Sequence, residues 1–278
     1  GPVGLVLSAP LTVCLLVVGK YVPQLEFLDV LLGDDPPLEP AVSLYQRLLA
    51  WDEDDATRLV NDQLKVLPPD AVYDELLIPA LSFVKRDRIR EEITVEDEEY
   101  ILRATREVID DLAPLPPAGS TPATRLGVLA CPAFDGADHL ALEMLGKLLG
   151  AERWKFDIVP SEMLAAEIVD RAVAGGHAII CIGSVPPGGL AHTRYLCKRL
   201  RSQLPNVKIL VGRWGRKANE ESGQQLNEAG ADVVTTTLLA TRSQFNTWQP
   251  ILTQSDARSA AAATKPTVDE VRSKLAAV

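Results

Sequence analysis

Residues 126–139 read LGVLACPAFDGADH. An apolar run, 126–131, meets a proline and an Asp-Gly pair, and the next dozen residues carry apolar side chains at helical spacing. A short apolar run that ends in turn chemistry and enters a helix opens a strand–helix crossover unit. Similar runs follow at 156–159, 178–183, 208–211 and 232–236, with helical patterns at about 137–150, 161–174, 190–204 and 218–229. Runs without polar alternation suit strands covered on both faces, and strand–helix alternation implies right-handed crossovers. The expectation is an α/β fold with a flavodoxin-like, doubly wound, parallel five-stranded sheet. Its ligand crevice then lies at the carboxyl ends of the strands.

The crevice loops follow from that register: 132–138, 160–161, 184–189, 212–217 and 236–237. The first places Asp135, Asp138 and His139 beside a helix N-terminus. They read either as a ligand or axial-base position or as helix capping by Asp138 with His139 solvated. The third brings the Ser184 hydroxyl and the close-approach backbone of Gly188 and Gly189 to the crevice, while His192 reads as a solvated first-turn residue. The fourth holds Gly212 and Arg213. From Arg194 to Lys217 there are eight basic residues and no acidic one, with Arg216, Lys217 and Trp214 in the loop itself. Such a patch suits an anionic small molecule, or electrostatic docking on an acidic surface or anionic lipid.

Outward from the sheet, the chain changes character. Residues 39–112 carry 19 acidic and 9 basic residues and read as about four amphipathic helices. Pro68-Pro69-Asp70 ends one helix and starts another, and Thr94 stands three residues before Asp97, the spacing of a capping box. The expected organisation is a membrane-type and juxtamembrane segment at 1–38, a cap-like helical bundle at 39–113, a Pro-rich linker at 114–123, the sheet domain at 124–250 and a tail with a short helix at 251–278. The first 19 residues contain no charge, enough for a bilayer-spanning helix, with a buried strand hairpin as the alternative.

With 278 residues, 47% of them hydrophobic and 24% charged, the composition excludes disorder and collagen-like fibre. A net charge of −10 argues against a general nucleic-acid binder. Four widely spaced cysteines give neither a zinc knuckle nor a disulfide framework and point to a reducing compartment. The chain has no GxxxxGK[ST], GxGxxG or HExxH motif and no recognisable Ser-His-Asp set, so the reading is non-enzymatic, with no catalytic residues and no metal site.

Two resemblances add to this. Gly-Pro-Val-Gly-Leu at residue 1, Pro-Leu-Thr-Val-Cys at residue 10 and Val-Pro-Gln-Leu-Glu-Phe-Leu at residue 22 look like the end of the last membrane helix of autoinducer-2 exporter (PerM-like) transporters. Residues 41–250 resemble the helical cap plus Rossmann-like module of cobalamin-binding proteins. Ser184-Val-Pro-Pro-Gly matches that family's serine loop and Glu92-Ile-Thr-Val its cap helix entry. The family's metal-binding His, within Asp/Glu-x-His-x-x-Gly, aligns best with Asp138; an alignment on His139 instead leaves Ala137 and Leu142 at the acid and glycine positions. Its Gly-Gly after the fourth strand reads Gly212-Arg213, and its cap Glu-His reads Glu98-Glu99. A carboxylate is a poorer partner for low-spin cobalt than an imidazole, and an Arg would fill the groove for the nucleotide tail.

The two resemblances imply a membrane-attached transporter whose soluble domains, in the cytoplasm, form a ligand-sensing or interaction module, with homo-oligomer formation as a further expectation and nucleic acid excluded. Small-molecule export comes from the resemblance alone. A genuine cobalamin or tetrapyrrole sensor and a pure oligomerisation scaffold are the alternatives, and the cofactor expectation is none, with cobalamin as the exception.

Overall fold

The computed structural model describes residues 39–112, 125–150, 152–215 and 220–263. The membrane-type stretch 1–38, the linker 114–123, Arg216, Lys217 and the end of the tail from 264 fall outside the described residues. Among the described residues, no helix is long and apolar enough to cross a membrane.

Five strands, β1 Leu126–Pro132, β2 Trp154–Ile158, β3 Ile179–Ser184, β4 Lys208–Arg213 and β5 Val233–Thr235, form an all-parallel sheet in the order β2-β1-β3-β4-β5. The two-residue period of a strand divides its side chains between two cores. Val128, Ala130, Ile179, Cys181 and Leu210 face one; Leu129, Cys131, Ile180, Ile182, Ile209 and Val211 face the other. Both faces are covered, which is why β1 and β3 read as unbroken apolar runs. Helix α6, Gly136–Leu149, covers the first face, and α7 Ala165–Gly175, α8 Leu190–Gln203 and α9 Glu220–Glu228 lie on the second.

Ahead of the sheet stand α1 Pro40–Leu49, α2 Glu53–Gln63, a continuous run of α3 Pro69–Val72, a π turn Tyr73–Leu77 and α4 Ile78–Ile89, then α5 Val95–Asp111. Thr94 and Asp97 form the expected reciprocal capping box. Tyr45 donates to Asp87 at 2.6 Å, and Trp51 stacks on Tyr100 at 4.0 Å. This bundle shares one core with the first face of the sheet. Leu102 Cδ1 of α5 lies 2.9 Å from where a Cβ on Gly136 would stand, so a larger residue there would push the Leu102 side chain aside.

The last helix, α10 Leu238–Ala263, runs unbroken through position 250, where the sequence suggested a domain end. It lies on the first face, with Phe245 edge-on to Trp154 at 5.0 Å. Its first turn is capped from the bundle: the Leu238 and Leu239 N–H groups donate to the two Asp74 carboxylate oxygens at 2.7 and 2.9 Å, and Arg242 meets Asp70 at 3.2 Å. A carboxylate at a helix N-terminus satisfies orphan donors and the helix dipole together. Asp74→Ala is expected to cost about 1–2 kcal/mol in urea unfolding. No loss of stability would show that this cap is dispensable.

Candidate functional site

In the observed strand order, the direction in which successive strands are added reverses between β1 and β3, so the crevice opens there between the loops that leave the two strands. At the β1 side Asp135 is the N-cap of α6, accepting the Asp138 N–H at 3.1 Å. The capping residue is therefore Asp135 rather than Asp138. Asp138, on the first turn, is wholly buried and faces inward.

What meets Asp138 comes from both sides of the crevice. Its Oδ1 accepts the Val185 N–H from the β3 loop at 2.7 Å and the Lys85 ammonium of α4 at 2.7 Å. Lys85 is 3% exposed, and its Nζ also lies 3.0 Å from Asp135 Oδ2. The other Asp138 oxygen, Oδ2, is buried without a partner. Burial outweighs Lys85 and pushes the Asp138 carboxyl up to about 6. Glu98 of α5, held by Arg88 at 3.1 Å, is also pushed up, by burial first and then by the Asp135 charge.

Beneath this pair the remaining space is taken. Arg213 donates from Nη1 to Ser184 Oγ at 3.0 Å and to the Gly188 carbonyl at 3.1 Å, with its Nε unpaired and its basicity lowered by burial. Gly188 and Gly189 hold φ of 89° and 72°, left-handed values that favour glycine. Trp214 is fully buried, and its indole N–H donates to Thr241 at 2.9 Å. A Cβ on Gly212 would lie 2.1 Å from that ring, and one on Gly183 2.9 Å. The ring therefore fills the carboxyl ends of β3 and β4 against those two glycines.

The structure thus gathers Asp135, Asp138, Ser184, Gly188, Gly189, Gly212 and Arg213 of the sequence-derived candidates around one crevice. His139 points elsewhere, one residue and about 100° further round α6. Its Nε2 lies 3.3 Å from Glu143, which also takes a two-point contact from Arg106 of α5. His192 is exposed on α8. Lys85 and the filling role of Trp214 were not foreseen. A sequence signal for Lys85 existed: it falls four residues after Leu81 and eight after Leu77, in the apolar stripe of its helix. Among the described residues no cluster of His, Cys, Asp and Glu could hold a metal. A cavity of about 320 Å³ lies in the bundle between α2 and α5, lined by Val60, Leu64 and Val108 and by no crevice residue.

Residues 42–112 match a family described as B12 binding domain. The chain matches no curated protein. Among solved structures, it is similar to the monomethylamine corrinoid protein of Methanosarcina barkeri, at 16% identity and TM-score 0.52, over 72% of this chain and 94% of that one. It also matches a cobalamin-binding protein of Desulfitobacterium hafniense DCB-2, at 17% identity and TM-score 0.39, over 74% and 97% of the two chains. The methanol:cobalamin methyltransferase complex of Methanosarcina barkeri matches at 16% identity and TM-score 0.32, over 86% and 85%. The helical bundle and parallel sheet together are a cobalamin-binding-like module in fold.

Because the Asp138 carboxyl is raised in the native state, the folded chain holds a proton between about pH 4 and about 6 that the unfolded chain releases. That contribution to stability is present at low pH and fades as pH rises through this window. Asp138→Asn keeps an acceptor for Val185 and removes the titration. The stability of wild type minus that of the variant, from urea melts, is expected to fall between pH 4 and 6 and level off above. A difference independent of pH would mean that Asp138 is not desolvated.

Proposed function

We propose that this chain is a non-catalytic regulatory module that takes a corrinoid between its helical cap and the carboxyl edge of its sheet, with the corrinoid's own base still on cobalt. The match over 42–112 and the fold shared with a corrinoid protein support the ligand class. The sequence reading placed corrinoid binding second to a corrinoid-free module, and the comparisons favour the corrinoid.

The observation that carries the binding mode is what occupies two places. Where the family motif has its imidazole stands Asp138, tied to Lys85 and Val185. Where a detached nucleotide tail would pass stand the Trp214 ring and the Arg213 guanidinium. These residues do not fit a corrinoid ligated by a protein imidazole with its tail threaded into the sheet. A corrinoid that keeps its own base on the metal needs neither imidazole nor tunnel. Aspartate and arginine in those positions then agree with each other, which two independent losses would not require.

Coupling to a PerM-like membrane transporter through residues 1–38, with the module on the cytoplasmic side, belongs to the proposal and is supported by the resemblance of that stretch. The second reading, a scaffold whose crevice has closed for good, is favoured by one observation, the 2.7 Å contact between Lys85 and Asp138 across it.

Incubation of the full chain with hydroxocobalamin, gel filtration and a visible spectrum separate these readings. The expected result is retained pigment whose bands remain those of the free, base-on vitamin and do not change in His139→Ala. Bands of imidazole ligation that disappear in His139→Ala would overturn the binding mode. Protein eluting colourless at micromolar pigment, in the full chain and in Lys85→Met alike, would overturn the ligand and leave the scaffold.

A further inference from the structure

Lys85 reaches across the crevice from the cap and ends between two carboxylates of the sheet domain, Asp138 at 2.7 Å and Asp135 at 3.0 Å. A buried ammonium is tolerated only with such partners, and a carboxylate as enclosed as Asp138 needs its cation equally. Any ligand entering between cap and sheet at this point must part them. A second polar attachment of the cap lies about 16 Å away along the same helical run, eleven residues at the helical rise, where Asp74 caps α10 and Asp70 meets Arg242; a third ties α5 to α6, through Arg106–Glu143 at 2.9 Å and Lys147–Asp110 at 2.8 Å. The second attachment sits in and beside the π turn Tyr73–Leu77, an interruption of the regular helical ladder. Beyond Lys85, the end of α4 meets the loop through an apolar side chain: Ile89, 63% exposed, lies 3.7 Å from where a Cβ on Gly188 would stand.

We propose that Lys85 is a built-in occupant of the crevice. Its ion pairs with Asp138 and Asp135 hold the cap shut, so that this contact and a bound corrinoid exclude each other and the module is autoinhibited. Opening moves the end of α4 away from the β3 loop and breaks the Lys85 contact, while the Asp74 attachment and the α5–α6 contacts stay made. The latch takes its ligand from the corrinoid reading above but not its existence. A partner that offers Lys85 another anion, or supplies a cation to Asp138, would open the crevice.

The test uses Lys85→Met in the full chain, a change that keeps the aliphatic stem and removes the charge. Spin labels at Arg90→Cys on the cap and Tyr195→Cys on α8, both exposed positions, report the opening in a Cys14→Ser background; Cys131, Cys181 and Cys197 are buried. The Lys85 chain is expected to give one short label distance and Lys85→Met to add a longer one. Hydroxocobalamin should bind the variant about tenfold or more tightly, because apparent affinity scales with the open fraction. If the distances shift and neither protein retains pigment, the latch stands and the corrinoid reading falls. If pigment binds both equally and the distances coincide, the latch falls and the corrinoid reading stands. Should Lys85→Met unfold, Lys85→Met/Asp138→Asn, which leaves no unpaired buried charge, carries the same two readouts.

Discussion

A buried cation stands across the crevice between the two halves of this module, which also share one hydrophobic core. Lys85 belongs to the helical bundle, yet its charge is balanced by Asp138 and Asp135 at the start of the first sheet helix. Burying both charges gives little net stability, since desolvation offsets most of their attraction, but removing one partner typically costs about 3–5 kcal/mol. The pair is thus weak as glue and strict as a specification: cap and sheet fit in the arrangement that brings Nζ to Oδ1. The raised Asp138 carboxyl and the closure of the crevice over Val185 both follow from that arrangement.

The surroundings are consistent with it. Arg213 and Trp214 leave β4 where a ligand's tail would enter, one bonded to the serine loop and the other packed against Gly183 and Gly212. Tryptophan can sit there because those two positions carry no Cβ, and its indole N–H finds Thr241 rather than going unpaired. On the opposite side of the cap, Asp74 spends its two oxygens on the first turn of α10. Of these contacts the Lys85 pair is the buried one that spans the crevice, and it can be broken by competition for charge.

The sheet was legible because its chemistry is local. Unbroken apolar runs gave β1, β3 and β4 nearly to the residue, and the loops that line the crevice followed from them. Helix α7 begins at Ala165 rather than 161 because the segment after Pro160 makes a turn before the helix. The last helix was missed for a physical reason: its buried residues Leu238, Phe245 and Trp248 are widely spaced among polar ones, and its partners on β2 and in the bundle are distant in sequence. The first helix cap was assigned to the wrong one of two aspartates three residues apart, since composition cannot say which turns outward. Lys85 lies 53 residues from Asp138, and its place in an apolar stripe was the only mark it left on the sequence.

The most direct measurement is a carbon-13 NMR titration of the Asp138 carboxyl in the full chain. A sealed, lysine-paired carboxylate predicts a midpoint near 6, with the resonance assigned by its absence in the Asn variant. A midpoint near 4, the value of a carboxyl in water, would show that burial does not outweigh Lys85 at Asp138 and contradict the account.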